Sequence, residues 1–180
     1  LKYDWFPNDP KTTREMSEAL RATGRDIVFS LSNTGIYDNA PDYVELANLW
    51  RTTNDINDSW DSVSRIGFLQ DRWAGFTGPG HWSDPDMLVV GMVGWGPNLH
   101  PSNLTPDEQY THISLWSLLA SPLLIGCDMT QLDEFTLSLL TNDEVIEVNQ
   151  DPLGRQASRV ALDGQLEVWA KEMEDGSKAV

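Results

Sequence analysis

The sequence is poor in cysteine, in histidine and in positive charge. A single cysteine, Cys127, stands among 180 residues, so no internal disulfide can form. It lies in the apolar run SPLLIGCDM, where an inert buried thiol is expected rather than a nucleophile. The three histidines, His81, His100 and His112, form no HxH pair and no other ligand-like spacing. A metal-dependent hydrolase is therefore disfavoured, and no cofactor is expected. The segment DINDSWD gathers Asp55, Asn57 and Asp61 but lacks the Gly and the closing Glu of a calcium loop. Lysine and arginine number 12 against 28 acidic residues, a net charge of −16 and a pI near 4.3. A chain so acidic has no patch with which to neutralise phosphates, which excludes nucleic acid as a partner. No apolar run approaches the roughly 20 residues of a membrane helix, so no membrane span is expected. An initiator Met and a visible signal peptide are both lacking. Localisation stays open on that basis, with a secreted or periplasmic site expected of a microbial protein.

What is present is an ordinary apolar content of 40% and an unusual eight tryptophans. Tryptophan fills cores, but its flat face also suits the apolar face of a sugar. Most of the eight are expected in the core, with two or three lining a pocket.

The apolar pattern alternates between short and long periods. LKYD reads as a strand, KTTREMSEALRATG as an amphipathic helix stopped at Gly24, and DIVFSLS as a strand. PDYVELANLW reads as a helix, WRTTNDI as a weaker strand, and DSWDSVSRIGFLQDRWAGF as a helix capped by Asp58 or Ser59. PDMLVVG reads as a strand, and TPDEQYTHISLWSLLAS as a helix with Thr105 and Glu108 forming a capping box. PLLIGCD reads as a strand, followed by the helical pieces LDEFTLSLLTN and DEVIEVNQ. Such alternation means parallel strands with crossover helices, in a doubly wound sheet or a (β/α)8 barrel. After NQDPLG the texture changes. LDGQ and EDGS separate apolar alternations and signal antiparallel hairpins. Residues 1–151 and 152–180 are therefore expected to be two units, and the chain an internal piece of a longer protein.

Parallel α/β folds gather function at the C-terminal ends of their strands. Asp4, Ser32, Asp55 and Asp128 fall at such ends, while Asp84 and Asp86 sit at the entry to an apolar strand. Carboxylates here equally serve as helix caps. Two that face one pocket, however, are what glycoside hydrolysis requires, roughly 5–5.5 Å apart in a retaining enzyme. Lys2 lies on the same side of its strand as Asp4 and would favour an ionised Asp4. Arg51 and Asp55 share a face on helix or strand alike. Spacing alone does not choose among Asp55, Asp84 and Asp86 as the acid.

The motifs LKYD, LWRTTNDINDSWDSV, GPGHWSDPDMLVVG, LWSLLASPLLIGCDM and VIEVNQDPLGRQ, in this order, resemble the α-galactosidases and α-N-acetylgalactosaminidases of glycoside hydrolase family 27. The resemblance covers about residues 1–160 of the chain. It implies the C-terminal part of a (β/α)8 TIM barrel, strands four to eight, followed by the start of an antiparallel β-sandwich domain. It implies Asp4 as nucleophile and Asp55 as general acid/base, with Lys2, Ser32, Arg51 and Asp86 binding substrate. The expected substrate is an oligosaccharide or glycoconjugate with terminal α-galactose. Two departures matter. The disulfide of animal members would join positions 31 and 47, which are Leu31 and Ala47 here. And where α-galactosidases often carry a Glu after the fifth strand, this chain has Ser32, then Gly35. In the family that pair makes room for an acetamido group, so α-N-acetylgalactosaminidase is the alternative activity. A non-catalytic sugar-binding barrel is a further one, disfavoured by the presence of both carboxylates.

Overall fold

The computed structural model describes residues 1–180 except 5–8, 34 and 95. Nine strands and six α-helices follow in order among the described residues. The first half runs β1 (Lys2–Tyr3), α1 (Pro10–Ala22), β2 (Ser30–Leu31), α2 (Ala40–Leu46), β3 (Leu49–Arg51), α3 (Trp60–Phe68) and β4 (Trp82–Asp84). It continues with β5 (Met92–Val93), β6 (His100–Pro101), α4 (Pro106–Leu118), α5 (Glu134–Leu140) and α6 (Asp143–Asn149). The chain then turns to β7 (Ser158–Asp163), β8 (Leu166–Glu172) and β9 (Lys178–Ala179).

Strands β1 to β4 form one parallel sheet in sequence order. A parallel neighbour needs a crossover connection, and α1, α2 and α3 supply three of them. Local chemistry marks their ends. Asp9 caps α1 through the Thr12 N–H, with Pro10 at the first position. Ser59, not Asp58, caps α3. Thr105 and Glu108 make the full capping box of α4. Gly24, at φ +65°, leaves α1 in the left-handed region. One side of the sheet carries Tyr3, Leu31 and Trp50 into an apolar cluster with Met16, Leu20, Tyr43 and Trp73. A second cluster lies between α3, α4 and α5 and includes Leu88, Val89 and Val90. Beyond it, β7, β8 and β9 make an antiparallel sheet whose first turn is Asp163–Leu166, with Gly164 at φ +62°. Trp169 of β8 packs against Phe68 of α3 with ring centroids 5.9 Å apart. The chain thus carries the α/β architecture of the C-terminal part of a (β/α)8 barrel, followed by antiparallel β structure.

Three expectations need correction. PDMLVVG is not the strand; β4 is the WSD before it, and Asp84 ends that strand rather than preceding one. The apolar run is buried because it wedges under α4, where the Val89 N–H donates to His112 Nε2 at 3.1 Å. A continuous apolar run is ambiguous for that reason. PLLIGCD forms a single parallel bridge, Ile125 to Leu88. And α2 stops at Leu46, so Leu49 and Trp50 belong to β3. Asn48 turns the chain: its side-chain oxygen accepts the Phe29 N–H, and its amide donates to the Gly80 carbonyl. The hairpin of β5 and β6 was not expected.

Candidate active site

The register of the parallel sheet builds the site. Lys2, Ser30, Leu49 and Trp82 form one rung, and Tyr3, Leu31, Trp50 and Ser83 the next. One residue further, Arg51 pairs with Asp84. The Ser32 N–H donates to the Tyr3 carbonyl at 3.1 Å, which carries the ladder to the same level. Asp4, Ser32, Arg51 and Asp84 therefore stand side by side at the C-terminal ends of four strands. Alternation puts them on the face opposite the Tyr3–Leu31–Trp50 cluster, the face Lys2 also occupies two rungs below.

Arg51 is the hub. It is 3% exposed, and its Nη2 donates to Asp86 Oδ2 at 2.7 Å and to Asp55 Oδ1 at 3.3 Å. Asp86 is fixed from every side. Its N–H donates to Asp84 Oδ1 at 2.8 Å, and its carbonyl accepts the Trp116 Nε1–H at 2.8 Å. Its carboxylate accepts the Ile56 N–H at 2.9 Å and the Met87 N–H at 2.8 Å. It achieves this at φ +85°, a conformation that few non-glycine residues adopt. Asp84 beneath it is 2% exposed, and burial pushes its carboxyl up from the usual range. The Asp86 N–H, the Arg51 guanidinium and the Lys2 ammonium pull the other way.

Asp4 and Asp55 are surrounded quite differently. Both are exposed, the Asp55 side chain to 93%. Asn33 Nδ2 donates to Asp4 Oδ1 at 3.4 Å. Asn33 also lines an open cavity of about 390 Å³ together with Ser32, Thr53, Asn54 and Asp55. Asn33 thus links the environment of one carboxylate to that of the other. Beside the cavity, Arg51 Nε and Thr53 Oγ1 are buried polar atoms without hydrogen-bond partners among the described residues.

The remaining candidates fall away. Asp128 spends its carboxylate on the Thr130 N–H and hydroxyl and on the Gln131 amide, a turn cap. Burial pushes the Cys127 thiol up, away from a reactive thiolate. His112 is wholly buried, and His100 contacts Asp58. No group of three potential metal ligands occurs among the described residues. Of the tryptophans, Trp50, Trp73, Trp116 and Trp169 are core residues. None of the described ones lines this cavity, and Trp5 and Trp95 lie outside the described residues. Gly35 is not at the cavity either. Its N–H donates to the Arg51 carbonyl at 2.7 Å, and an added Cβ would meet that oxygen at 2.9 Å and the Tyr43 ring at 3.2 Å. Close backbone packing explains this glycine, not room for a substrate. Asn33, Thr53 and Asn54 escaped sequence reasoning; their one signal is that each lies two or three residues past the end of β2 or β3.

Comparison with known proteins adds a separate line. The family model described as Alpha galactosidase A matches residues 4–151. Alpha-galactosidase 2 of Arabidopsis thaliana is 47% identical over 174 residues, 94% of this chain and 42% of that protein. A family 27 β-L-arabinopyranosidase from Geobacillus stearothermophilus superimposes with a TM-score of 0.87 at 36% identity, covering 94% of this chain and 40% of the other. An α-galactosidase from Saccharomyces cerevisiae gives 0.82 at 28% identity, covering 99% and 46%. The chain thus spans less than half the length of the relatives it matches.

Proposed function

Because the chain belongs to the alpha galactosidase A family, glycoside hydrolase family 27, we propose that it carries the catalytic face of a retaining exo-α-galactosidase. Asp4 attacks the anomeric carbon and forms a covalent glycosyl-enzyme. Asp55 protonates the leaving oxygen, then removes a proton from the water that releases the sugar. Arg51, Lys2, Ser32 and Asp86 bind and orient the galactose. The substrate is an oligosaccharide or glycoconjugate ending in α-galactose. Residues 1–151 form the barrel part and 152–180 belong to a β domain. The match over 4–151 and the antiparallel pairing that begins at Ser158 support that division.

One observation carries the reading. The strand-end rung sets Asp4 beside Ser32, Arg51 and Asp84, while Arg51 reaches across to Asp55. Asn33 and Asp55 line one open cavity, and Asn33 also donates to Asp4 Oδ1. The exposure of Asp4 and Asp55 suits groups that must reach a substrate. The test is product stereochemistry. The full-length protein is given an aryl α-galactoside, and the first-formed sugar is followed by NMR before it equilibrates. α-Galactose first supports the retaining reaction; β-galactose first defeats it.

The alternative, α-N-acetylgalactosaminidase, rests on Ser32 alone, since Gly35 packs against the Arg51 backbone. A carboxylate at position 32 would clash with an acetamido group, and a serine does not. The ratio of kcat/KM for matched aryl α-galactoside and α-N-acetylgalactosaminide decides between them.

A further inference from the structure

Asp55 performs the most demanding proton transfer yet has the least support of its own. Its side chain is 93% exposed, and the contact to Arg51 is long, at 3.3 Å. A solvated aspartate with that much freedom would spend little time at the leaving oxygen. Its position must come from the backbone beneath it and from Arg51. Both lead to Asp86, whose carboxylate takes the N–H of Ile56, the residue after Asp55, and the guanidinium of Arg51. Asp86 can hold both only from its left-handed backbone conformation, which disfavours any residue with a Cβ. The group that stabilises this conformation is the carboxylate of Asp84, through the Asp86 N–H at 2.8 Å.

We infer that Asp84 is a positioning residue for the acid/base. It fixes the turn at Asp86, and that turn sets Arg51 and the Asp55 loop. The inference rests on the reading of Asp55 as the acid/base. Asp84 is a costly choice for mere packing. It is a carboxyl group at 2% exposure, on a rung where an apolar residue would fill the same space. What an apolar residue cannot do is accept the Asp86 N–H. The role needs an acceptor at that point and not a charge, so asparagine should serve and alanine should not.

The acid/base step has a signature that folding does not imitate. A leaving group of low pKa departs without a proton, whereas one of high pKa needs it. A misplaced Asp55 therefore slows poor leaving groups selectively. In the full-length protein, kcat/KM is measured for aryl α-galactosides that span leaving-group pKa, in wild type, Asp84→Ala, Asp84→Asn and Asp84→Glu. Asp84→Ala is expected to lose at least about tenfold more on the poorest leaving group than on the best. Asp84→Asn should restore the wild-type slope. Asp84→Glu displaces the acceptor by a methylene and should steepen the slope, which keeps the test open if the alanine variant does not fold. Parallel losses on all substrates in Asp84→Ala, or a wild-type slope in Asp84→Glu, would overturn the inference. So would an asparagine variant as steep as alanine, because the charge would then be what matters. A wild-type protein inactive on every α-galactoside would instead overturn the functional reading, and this one with it.

Discussion

Two pairs of aspartates meet at the strand ends, and they are built in opposite ways. Asp84 and Asp86 are enclosed, and between them take three backbone N–H groups and a buried guanidinium. Asp4 and Asp55 are open, each with one long side-chain contact among the described residues, to Asn33 and Arg51 respectively. Such donors hold a carboxylate in place: Asp84 supports the Asp86 turn, and Asp86, with three donors against about four lone-pair sites, keeps one for a sugar hydroxyl. A carboxylate left open can accept a new partner. The same residue type, around the same few strand ends, is thus divided by its surroundings into enclosed and open groups.

That contrast predicts opposite consequences of substitution. Asp4→Asn should reduce kcat/KM of the full-length protein by roughly 10³-fold or more, the scale of a lost essential group, with little change in melting temperature. A large loss of stability instead would mean that Asp4 is framework. Arg51→Met should do the reverse first. It strands the Asp86 carboxylate in a site 13% exposed, and denaturant unfolding should register a loss of about 3–5 kcal/mol. A loss below about 1 kcal/mol would show the pair to be as weak as a surface bridge.

His112 gives a third, smaller effect away from the site. Burial holds its pKa down to about 3, against 6.5 for the free side chain. Between those values the unfolded chain binds a proton that the folded chain refuses. Stability should therefore fall as pH drops below 6.5, by about 1.4 kcal/mol per unit from this group. Chemical denaturation at pH 6.5 and 4.5, for wild type and His112→Gln, isolates the contribution; equal slopes would place the charge elsewhere. Smallest is Thr105→Ala, which removes the capping box of α4 and should cost about 1 kcal/mol without altering kinetics. A kinetic effect there would join the helix to the site.

Much of this was legible in the sequence, for definite reasons. The crossover pattern follows from apolar periods, and the caps at Thr105 and Ser59 from short-range hydrogen bonding. The hairpin at Gly164 follows from its Asp-Gly turn. The strand-end position of Asp4 could be read from LKYD alone. Other features were hidden because they depend on tertiary register. Nothing local says that Asp84 closes a strand, because the apolar run after it carries the stronger strand signal. The sequence does not show that Asp86 turns left-handed; that follows from the buried Asp84 carboxylate accepting its N–H, with further donors from Ile56, Met87 and Trp116. Gly35 looked like a determinant of substrate size, and only the Arg51 backbone behind it explains the missing side chain.

Azide separates the proposed roles of Asp4 and Asp55. Asp4→Gly and Asp55→Gly are prepared in the full-length protein and given an activated aryl α-galactoside with sodium azide. Without its nucleophile, the enzyme should let azide attack the substrate itself and yield β-galactosyl azide. Without its acid/base, it should still form the glycosyl-enzyme, which azide opens to α-galactosyl azide. Opposite anomers from the two variants are the predicted result. The same anomer from both, or the assignment reversed, would contradict the account.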